Sequence, residues 1–292
     1  MRGFDFDAKV MLVTGGAGGI GSALCHRFAS RGARCVVVDI DAGRAEKVAD
    51  ELPGTGHAGI GCDLLDRAEV EQLFAQIAAD YGRLDVLVNN VGMTSAERFD
   101  VRSVDSIRRE LDLNLLSPLV TTRLAIPLLL ASGDARVITT VSLGGIFPLG
   151  ETPIYTASKF GLRGAMLAIG LDLEAKGILV GSVLPSATDT RMLRQGAVDG
   201  GNAMQFQDKP QQPAHVVAAV TSLLDRPRLE AYPRPAESRL VRFAMLAPNL
   251  LPKLLPLFRK RGERGMARYP EDLRRRRLAR QVGGRWELVE ES

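Results

Sequence analysis

The sequence predicts an α/β domain built on a doubly wound parallel sheet, with helices on both faces and a helical extension at its C-terminal end. Three observations predict it. Short β-branched runs recur from residue 9 to about 225, helically spaced segments separate them, and a glycine-rich turn follows the first run. Strands buried on both faces read as continuous apolar runs, and strand–helix alternation is the pattern of a parallel sheet covered on each side.

Taken in order, Val10-Met11-Leu12-Val13 is the first strand and 19–31 the first helix. Cys35 to Val38 follows as a strand, then helices over 42–52 and 66–81, then the strand Val86-Leu87-Val88. The longest helical pattern covers 103–131, before the strand Val137 to Val141. A helix over 155–176, a strand over Leu179 to Leu184 and a helix over 213–225 complete the alternation. The segment 185–212 is too long for an ordinary connection and reads as a lid. After 225 the pattern changes. Pro227, Pro233 and Pro235 stop any helix, and Leu240 to Phe258 is Leu-rich with prolines at 248, 252 and 256. Proline removes a helical hydrogen bond, so this stretch is expected to be broken by kinks, with a last helix over about 270–281. The expected division is a sheet domain over 1–228 and a basic, Leu/Pro-rich extension over 229–292 packed on it.

Composition narrows the function classes. The 292 residues are 46% hydrophobic and 25% charged, with mean hydropathy +0.02, the balance of an ordinary globular chain and not of a disordered or collagenous one. Arg123 and Pro127 interrupt the longest apolar run, so none approaches the ~18–20 residues of a membrane span. The start, MRGFDFDAKV, has acids where a signal peptide is apolar. Cys25, Cys35 and Cys62 form no paired motif and read as buried hydrophobes in a reducing compartment, so a cytoplasmic location is expected. His26, His57 and His215 do not cluster with cysteine or acid, so no metal site is expected. The net charge of +4 is unevenly spread: residues 226–280 hold 16 Arg and Lys against 5 Asp and Glu. Basic charge confined to the tail, without interleaved aromatics, argues against nucleic-acid binding.

The turn Thr14 to Gly21 lies between the first strand and the first helix. Gly15, Gly18, Gly19 and Gly21, with Ile20, let the backbone approach a pyrophosphate, which the amides and dipole at the helix start then bind. Asp39, with Ile40 beside it, ends the second strand eighteen residues past Gly21. A carboxylate there accepts from both ribose hydroxyls and repels a 2′-phosphate, so NAD is expected over NADP. Asp39→Ala with Gly16→Arg should move that preference toward NADP.

Tyr155 and Lys159 stand at i and i+4, on one helical face. Ser142 precedes them at a strand end and Asn114 lies on the long helix. With TGGAGGIG at 14–21, Asp63, Asn89-Asn90-Val91-Gly92, Asn114, Ser142, Tyr155 and Lys159 in this order, the chain resembles the short-chain dehydrogenase/reductase family over residues 8–225. The resemblance implies a Rossmann-type fold and hydride transfer. It makes Tyr155 the proton donor or acceptor, Lys159 the holder of the nicotinamide ribose, Ser142 the group orienting the substrate oxygen, and Asn114 the anchor of a water. It places Asp63 and Leu64 by the adenine, Asn90 by its ribose, and Pro185, Thr188 and Thr190 over the nicotinamide amide. The family usually has Gly where this chain has Ser186. Free Tyr titrates near ~10, and Lys159 with the nicotinamide charge is expected to favour the phenolate; three pH units require about 4 kcal/mol.

The tail from Glu230-Ala231-Tyr232-Pro233 onward is similar to the hydroxysteroid and retinol dehydrogenase branch, whose members act on lipophilic alcohols. Leu240, Phe243, Leu246, Leu250, Leu254 and Leu257 are expected to pack on the sheet domain or a partner chain. The alternative is a peripheral membrane contact beside Arg259-Lys260-Arg261. Met93, Leu143, Phe147, Leu149, Met192, Met204 and Phe206 are the expected substrate pocket, at the carboxyl ends of the strands. Their apolar character favours a lipophilic secondary alcohol or ketone. An acyl-thioester ketoreductase is the alternative enzyme and a catalytically retired binding protein the alternative outside enzymes. A homo-oligomer, dimer or tetramer, is expected.

Overall fold

A computed structural model describes residues 3–95 and 97–289, apart from the side chains of Leu254, Leu257 and Phe258. A seven-stranded sheet forms its centre. The strands are β1 (Val10–Thr14), β2 (Arg34–Asp39), β3 (Ala58–Gly61), β4 (Val86–Asn89), β5 (Ala135–Thr140), β6 (Ile178–Val183) and β7 (Glu230–Ala231). Their order is β3-β2-β1-β4-β5-β6-β7 and every pairing is parallel. The order reverses between β1 and β4, which opens a crevice at the carboxyl ends of the strands, where open α/β sheets bind ligands.

The helices between strands are α1 (Gly19–Ala29), α2 (Ala42–Asp50), α3 (Arg67–Tyr81), α4 (Val104–Leu111), α5 (Ser117–Leu130) and α6 (Pro153–Glu174). After β6 come α7 (Arg191–Val198) and α8 (Pro213–Asp225). Side chains on a strand alternate between faces, and β1 shows the consequence. Val10 and Leu12 join Phe74 of α3, Leu129 of α5 and Leu162 of α6 in one core. Met11 and Val13 join Phe28 of α1, Ala45 of α2 and Leu223 of α8 in the other. Each buried large apolar side chain stabilises by ~1.5–3 kcal/mol, and this two-sided burial explains the unbroken β-branched runs.

Several elements differ from expectation. Strand β3 has no apolar run because α2 lies directly on it; a Cβ on Gly61 would stand 2.7 Å from the Ala42 methyl. The expected helix over 103–131 is α4 and α5 joined by a π-turn at Asp112–Leu116. This stretch, Val104–Leu130, does reach the length and hydropathy (1.5) of a membrane span, contrary to the uninterrupted-run criterion. Ala125, Leu128 and Leu129 on it are buried against the sheet, as in a core helix.

The C-terminal region departs furthest. It contains α9 (Pro235–Ala244) and one 25-residue helix, α10 (Leu251–Arg275), then a hairpin of β8 (Ala279–Val282) and β9 (Arg285–Leu288). The expected kinked segment and the helix over 270–281 are both corrected. Pro248 begins a short 3₁₀ turn and Pro252 sits in the first turn of α10, where no N–H partner is needed. Only Pro256 and Pro270 lie inside the helix. Gly262 and Gly265 share one face of α10, and a methyl on either would collide with the carbonyls of Ala203 and Phe206. Glycine therefore lets α10 lie on the backbone of the 185–212 segment. That segment is no open loop: it holds α7 and a 3₁₀ turn, Ala203–Phe206, closed by a third apolar cluster of Leu193, Ala197, Phe206, Tyr269, Leu273 and Ala279.

Candidate active site

A cleft of about 1130 Å³ opens at the carboxyl ends of the strands. This slightly exceeds the ~300–1,000 Å³ usual for one small ligand, so a cofactor and a substrate can share it. At one end the turn after β1 is shaped for close approach. Gly15 has φ +61°, and a Cβ on it would press on Val91 at 3.1 Å. No side chain caps α1 and no acid occupies its first turn, which leaves its positive end for an anion. Asp39 accepts from the Ala17 amide at 3.1 Å, while Asp41 caps α2, so Asp39 belongs to the turn and not to the next helix. Ile40 is 66% exposed and lines the cleft with Cys62, Asp63 and Leu64. Arg44, also on the wall, donates to the Ala17 carbonyl at 2.9 Å.

Asn90 is a brace as well as a wall. Its amide donates to the carbonyls of Thr14 (3.3 Å) and Gly15 (3.4 Å), and its oxygen accepts from Thr140 at 3.2 Å. On the far wall Pro185, Ser186, Thr188 and Thr190 stand opposite the turn. Thr190 comes within 3.3 Å of where a Gly19 Cβ would sit. Ser186 is not among the residues with positive φ, so a side chain there needs no strained backbone. Its buried hydroxyl and that of Thr94, both on the cleft wall, have no partner among the described residues. A glycine cradle, an uncapped helix start and two orphaned hydroxyls fit a dinucleotide.

Ser142, Tyr155 and Lys159 meet deeper in the cleft. Ser142, two residues past β5, caps a 3₁₀ turn, Leu143–Gly145, and its Oγ accepts from the Gly144 amide at 3.0 Å. Tyr155 and Ser142 line the cleft together, close enough for Ser142 to lower the Tyr155 pKa. Gly144 leaves room for this contact, since a Cβ would stand 3.1 Å from the Tyr155 ring. Lys159 Nζ donates to the Thr140 carbonyl at 3.3 Å and lies 5.8 Å from the Tyr155 ring centroid. Asn114, in the π-turn, is fully buried. Its Oδ1 accepts from the Met93 amide and its Nδ2 donates to the Met93 carbonyl, both at 2.8 Å. Nδ2 also reaches Ser158 Oγ at 3.2 Å. The side chain is thus held by protein partners on both its oxygen and its nitrogen. Gly92 separates it from Lys159: a Cβ there would meet Lys159 Nζ at 3.4 Å and Asn114 Oδ1 at 3.5 Å.

In the protein alone, Tyr155 and Lys159 are both shifted toward their uncharged forms. Burial pushes the Tyr155 phenol above its ordinary pKa; Ser142 opposes this and Glu110 adds to it. Burial pulls Lys159 down to about 8, with Glu110 opposing. Both shifts have one cause, since a dry site disfavours whichever form is charged. In the protein by itself Lys159 does not make the phenolate. Glu110 was not anticipated. It is buried on α4 and paired with Arg102 at 2.6 Å, an ion pair by distance without hydrogen-bond alignment.

Of the expected substrate pocket, Leu143, Phe147, Leu149, Met192 and Met204 line the cleft. Met93 does not; its backbone is occupied in holding Asn114. Phe206 does not either, being 3% exposed and packed on Tyr269 with ring centroids 5.2 Å apart. The sequence reading missed the outer wall, formed by Leu240, Val241, Phe243, Ala244, Ala247 and Leu250 from α9 and the turn after it. Leu240, Phe243, Leu246 and Leu250 are 61%, 74%, 79% and 49% exposed, so the expectation that they pack on the sheet domain is corrected. Leu254 and Leu257 lie outside the described side chains. The spacing of Leu240, Val241 and Ala244 on one helical turn was the signal available for α9.

Residues 9–199 match the family described as short chain dehydrogenase. The chain belongs to that family. It is an oxidoreductase by that membership. A D-threitol dehydrogenase of Mycolicibacterium smegmatis is 33% identical over 196 residues, covering 65% of this chain and 74% of that protein. A 3beta-hydroxysteroid dehydrogenase of Mediterraneibacter gnavus is 34% identical over 197 residues, covering 66% and 71%. Among solved structures, a short chain dehydrogenase/reductase from Burkholderia phymatum in complex with NAD matches with TM-score 0.77 at 22% identity, covering 85% of this chain and 96% of that one. All three alignments leave part of this short-chain dehydrogenase unmatched.

Proposed function

We propose that this short-chain dehydrogenase interconverts a lipophilic secondary alcohol and its ketone, with NAD preferred over NADP. The observation that carries the reading is the Ser142–Tyr155–Lys159 cluster at the base of a cleft whose outer wall is apolar. When bound, the nicotinamide ring accepts hydride from the alcohol carbon or returns it to the carbonyl carbon. Tyr155 takes the hydroxyl proton in oxidation and donates it in reduction, so the protein moves the proton while the hydride moves separately. Ser142 hydrogen-bonds the substrate oxygen and Tyr155 together. Lys159 reaches the nicotinamide ribose and adds the positive charge that, with the oxidised ring, opposes the effect of burial on Tyr155. Asn114 positions Met93 and Ser158 beside them. Gly15, Gly18, Gly19, Ile20 and Gly21 hold the pyrophosphate, Asp39 and Ile40 the adenosine ribose, and Asp63 with Leu64 the adenine. Asn90 lines the adenine ribose side, and Pro185, Thr188 and Thr190 complete the nicotinamide side.

Residues 1–228 are the catalytic domain in this reading, and 229–292 the extension that supplies the outer wall. The enzyme assembles as a homo-oligomer, dimer or tetramer. The fit to a lipophilic substrate rests on neutralised charge at the mouth as well as on Leu240 and Phe243. Arg234 is paired with Glu237 at 2.7 Å and Arg261 with Asp208 at 2.5 Å. Arg191 and Lys209 also line the mouth, and they favour the second reading, an acyl-thioester ketoreductase with an anionic carrier. The test is turnover of purified protein with NAD and NADP on hydroxysteroids, polyols and acetoacetyl thioesters. Activity confined to thioesters would replace the first reading by the second. Turnover by Tyr155→Phe within tenfold of wild type would remove the proposed chemistry, since a positioned acid–base group contributes ~10²–10⁴-fold.

A further inference from the structure

We propose that Asp189 is a positioning residue through which the C-terminal extension sets dinucleotide affinity. The inference rests on the assignment of Thr188 and Thr190 to cofactor contact. Asp189 lies between them and is only 3% exposed. Its amide donates to the Gln211 carbonyl at 2.8 Å, and the Gln211 side chain donates to the Ser186 carbonyl and Thr188 Oγ1, each at 3.1 Å. The carboxylate gathers donors from three elements. Arg194 Nε of α7 lies at 2.8 Å, the Tyr269 hydroxyl of α10 at 2.7 Å, and Arg276 Nη2, just past α10, at 2.6 Å. The Gln212 side-chain Nε2 donates across a longer 3.4 Å.

A buried carboxylate is costly unless its lone pairs are satisfied. Burial raises the pKa of Asp189, yet the hydrogen bonds from Arg194, Tyr269 and Arg276 outweigh it and hold the group below the usual carboxylate range. Such ion clusters add little net stability compared with apolar packing. The extension already has apolar packing: Phe206 against Tyr269, with Leu193, Leu273 and Ala279 around them. What the charged cluster adds is direction. It fixes the main chain of Asp189, and with it the side chains on either side, at the place where Thr190 meets the turn at Gly19. Tyr269 and Arg276 lie 80 and 87 residues further along the chain, so a distant segment determines how this wall of the cleft is held.

Tyr269→Phe and Arg276→Gln, each in the full chain, test the inference. NAD dissociation constants are measured by calorimetry well below the melting temperature, with Thr190→Ala measured alongside. Loss of one hydrogen bond to a buried charge should weaken NAD ~5–30-fold in each variant, with kcat at saturating NAD changed less than about threefold. Arg276→Lys should recover part of the loss. A purely structural role would lower the melting temperature and leave the NAD constant within about twofold; that result overturns the proposal. If Thr190→Ala weakens NAD and Tyr269→Phe does not, the link through Asp189 fails while the cofactor assignment stands. If Thr190→Ala has no effect, the assignment fails and the proposal falls with it.

Discussion

Lys159 is the residue whose chemistry works against its surroundings. Burial lowers its pKa from 10.5 to about 8, so the folded state gives up the proton at lower pH than the unfolded chain. Stability therefore rises with pH between about 8 and 10.5, and below 8 the charge costs the fold roughly 3 kcal/mol. Lys159→Met should abolish turnover yet stabilise the protein at pH 7 by about 1–2 kcal/mol, less than the full figure because the Thr140 hydrogen bond is lost. The gain should shrink between pH 8 and 10.5; urea unfolding at pH 7 and 9.5 reads it, and a variant less stable than wild type at pH 7 would contradict it. The positions of Tyr155 and Lys159 were legible in the sequence, since i and i+4 share a helical face. The direction of their shifts was not, because burial is a property of the packed site. Gly16 gives a similar contrast. Its expected replacement by Arg has no room, as a Cβ would stand 2.7 Å from Val37 Cγ1 and 3.0 Å from the Val13 carbonyl. The exposed Ile40 is the better position. Asp39→Ala with Ile40→Arg should lower the NAD-to-NADP ratio of kcat/KM at least tenfold, by replacing a repelling charge with an attracting one. An unchanged ratio would count against the reading of Asp39.

At the level of elements, what could be read were periodicities, and what could not were surfaces that glycine makes. Strands β1, β2, β4, β5 and β6 announced themselves as apolar runs because both their faces are buried. Strand β3, four residues with two glycines, and β7, two residues long, carry too little pattern to read. Gly262 and Gly265 look like helix breakers, yet they form the flat face by which α10 docks. The π-turn at Asp112–Leu116 was hidden inside a continuous helical pattern. The turn before it, on α4, holds Glu110, and Arg102 ties that helix to the segment after β4. Arg102 also donates to the Ser106 carbonyl at 3.0 Å. Arg102→Ala leaves a fully buried carboxylate without its cation and should destabilise the protein by about 3–5 kcal/mol, whereas Arg102→Met with Glu110→Leu should recover most of the loss. Chemical denaturation of the single and double variants checks this. A double variant no better than the single would mean that the pair is held for its geometry and not merely balanced.

For the whole molecule, the extension presents two apolar faces with different fates. The face of α10 and the hairpin closes on Leu193, Ala197 and Phe206, next to the cleft. The face of α9 bearing Leu240 and Phe243 stays exposed at the cleft mouth. The Leu and Phe spacing over 240–258 pointed to one apolar face, but spacing cannot say which face finds a partner in its own chain, and the face through Tyr269, Leu273 and Ala279 carried no such pattern. Removing residues 239–292 should therefore uncover the α7 and Phe206 surface and take Tyr269 and Arg276 from Asp189. The truncated protein is expected to aggregate or change oligomeric state on size exclusion and to bind NAD weakly. Leu240→Ser with Phe243→Ser should behave differently, because exposed positions contribute within about 0.5 kcal/mol to stability. That variant should melt as wild type does and keep its NAD affinity, while KM for bulky apolar ketones rises several-fold and KM for small alcohols does not. If wild type sediments with anionic vesicles and the double variant does not, with KM values unchanged, the α9 face serves a membrane instead, and salt should release it by screening the basic residues around Arg259-Lys260-Arg261 over ~10 Å at 0.1 M. A truncated chain that stays monodisperse and binds NAD as tightly as the full one would show that the extension is not part of the enzyme's working structure.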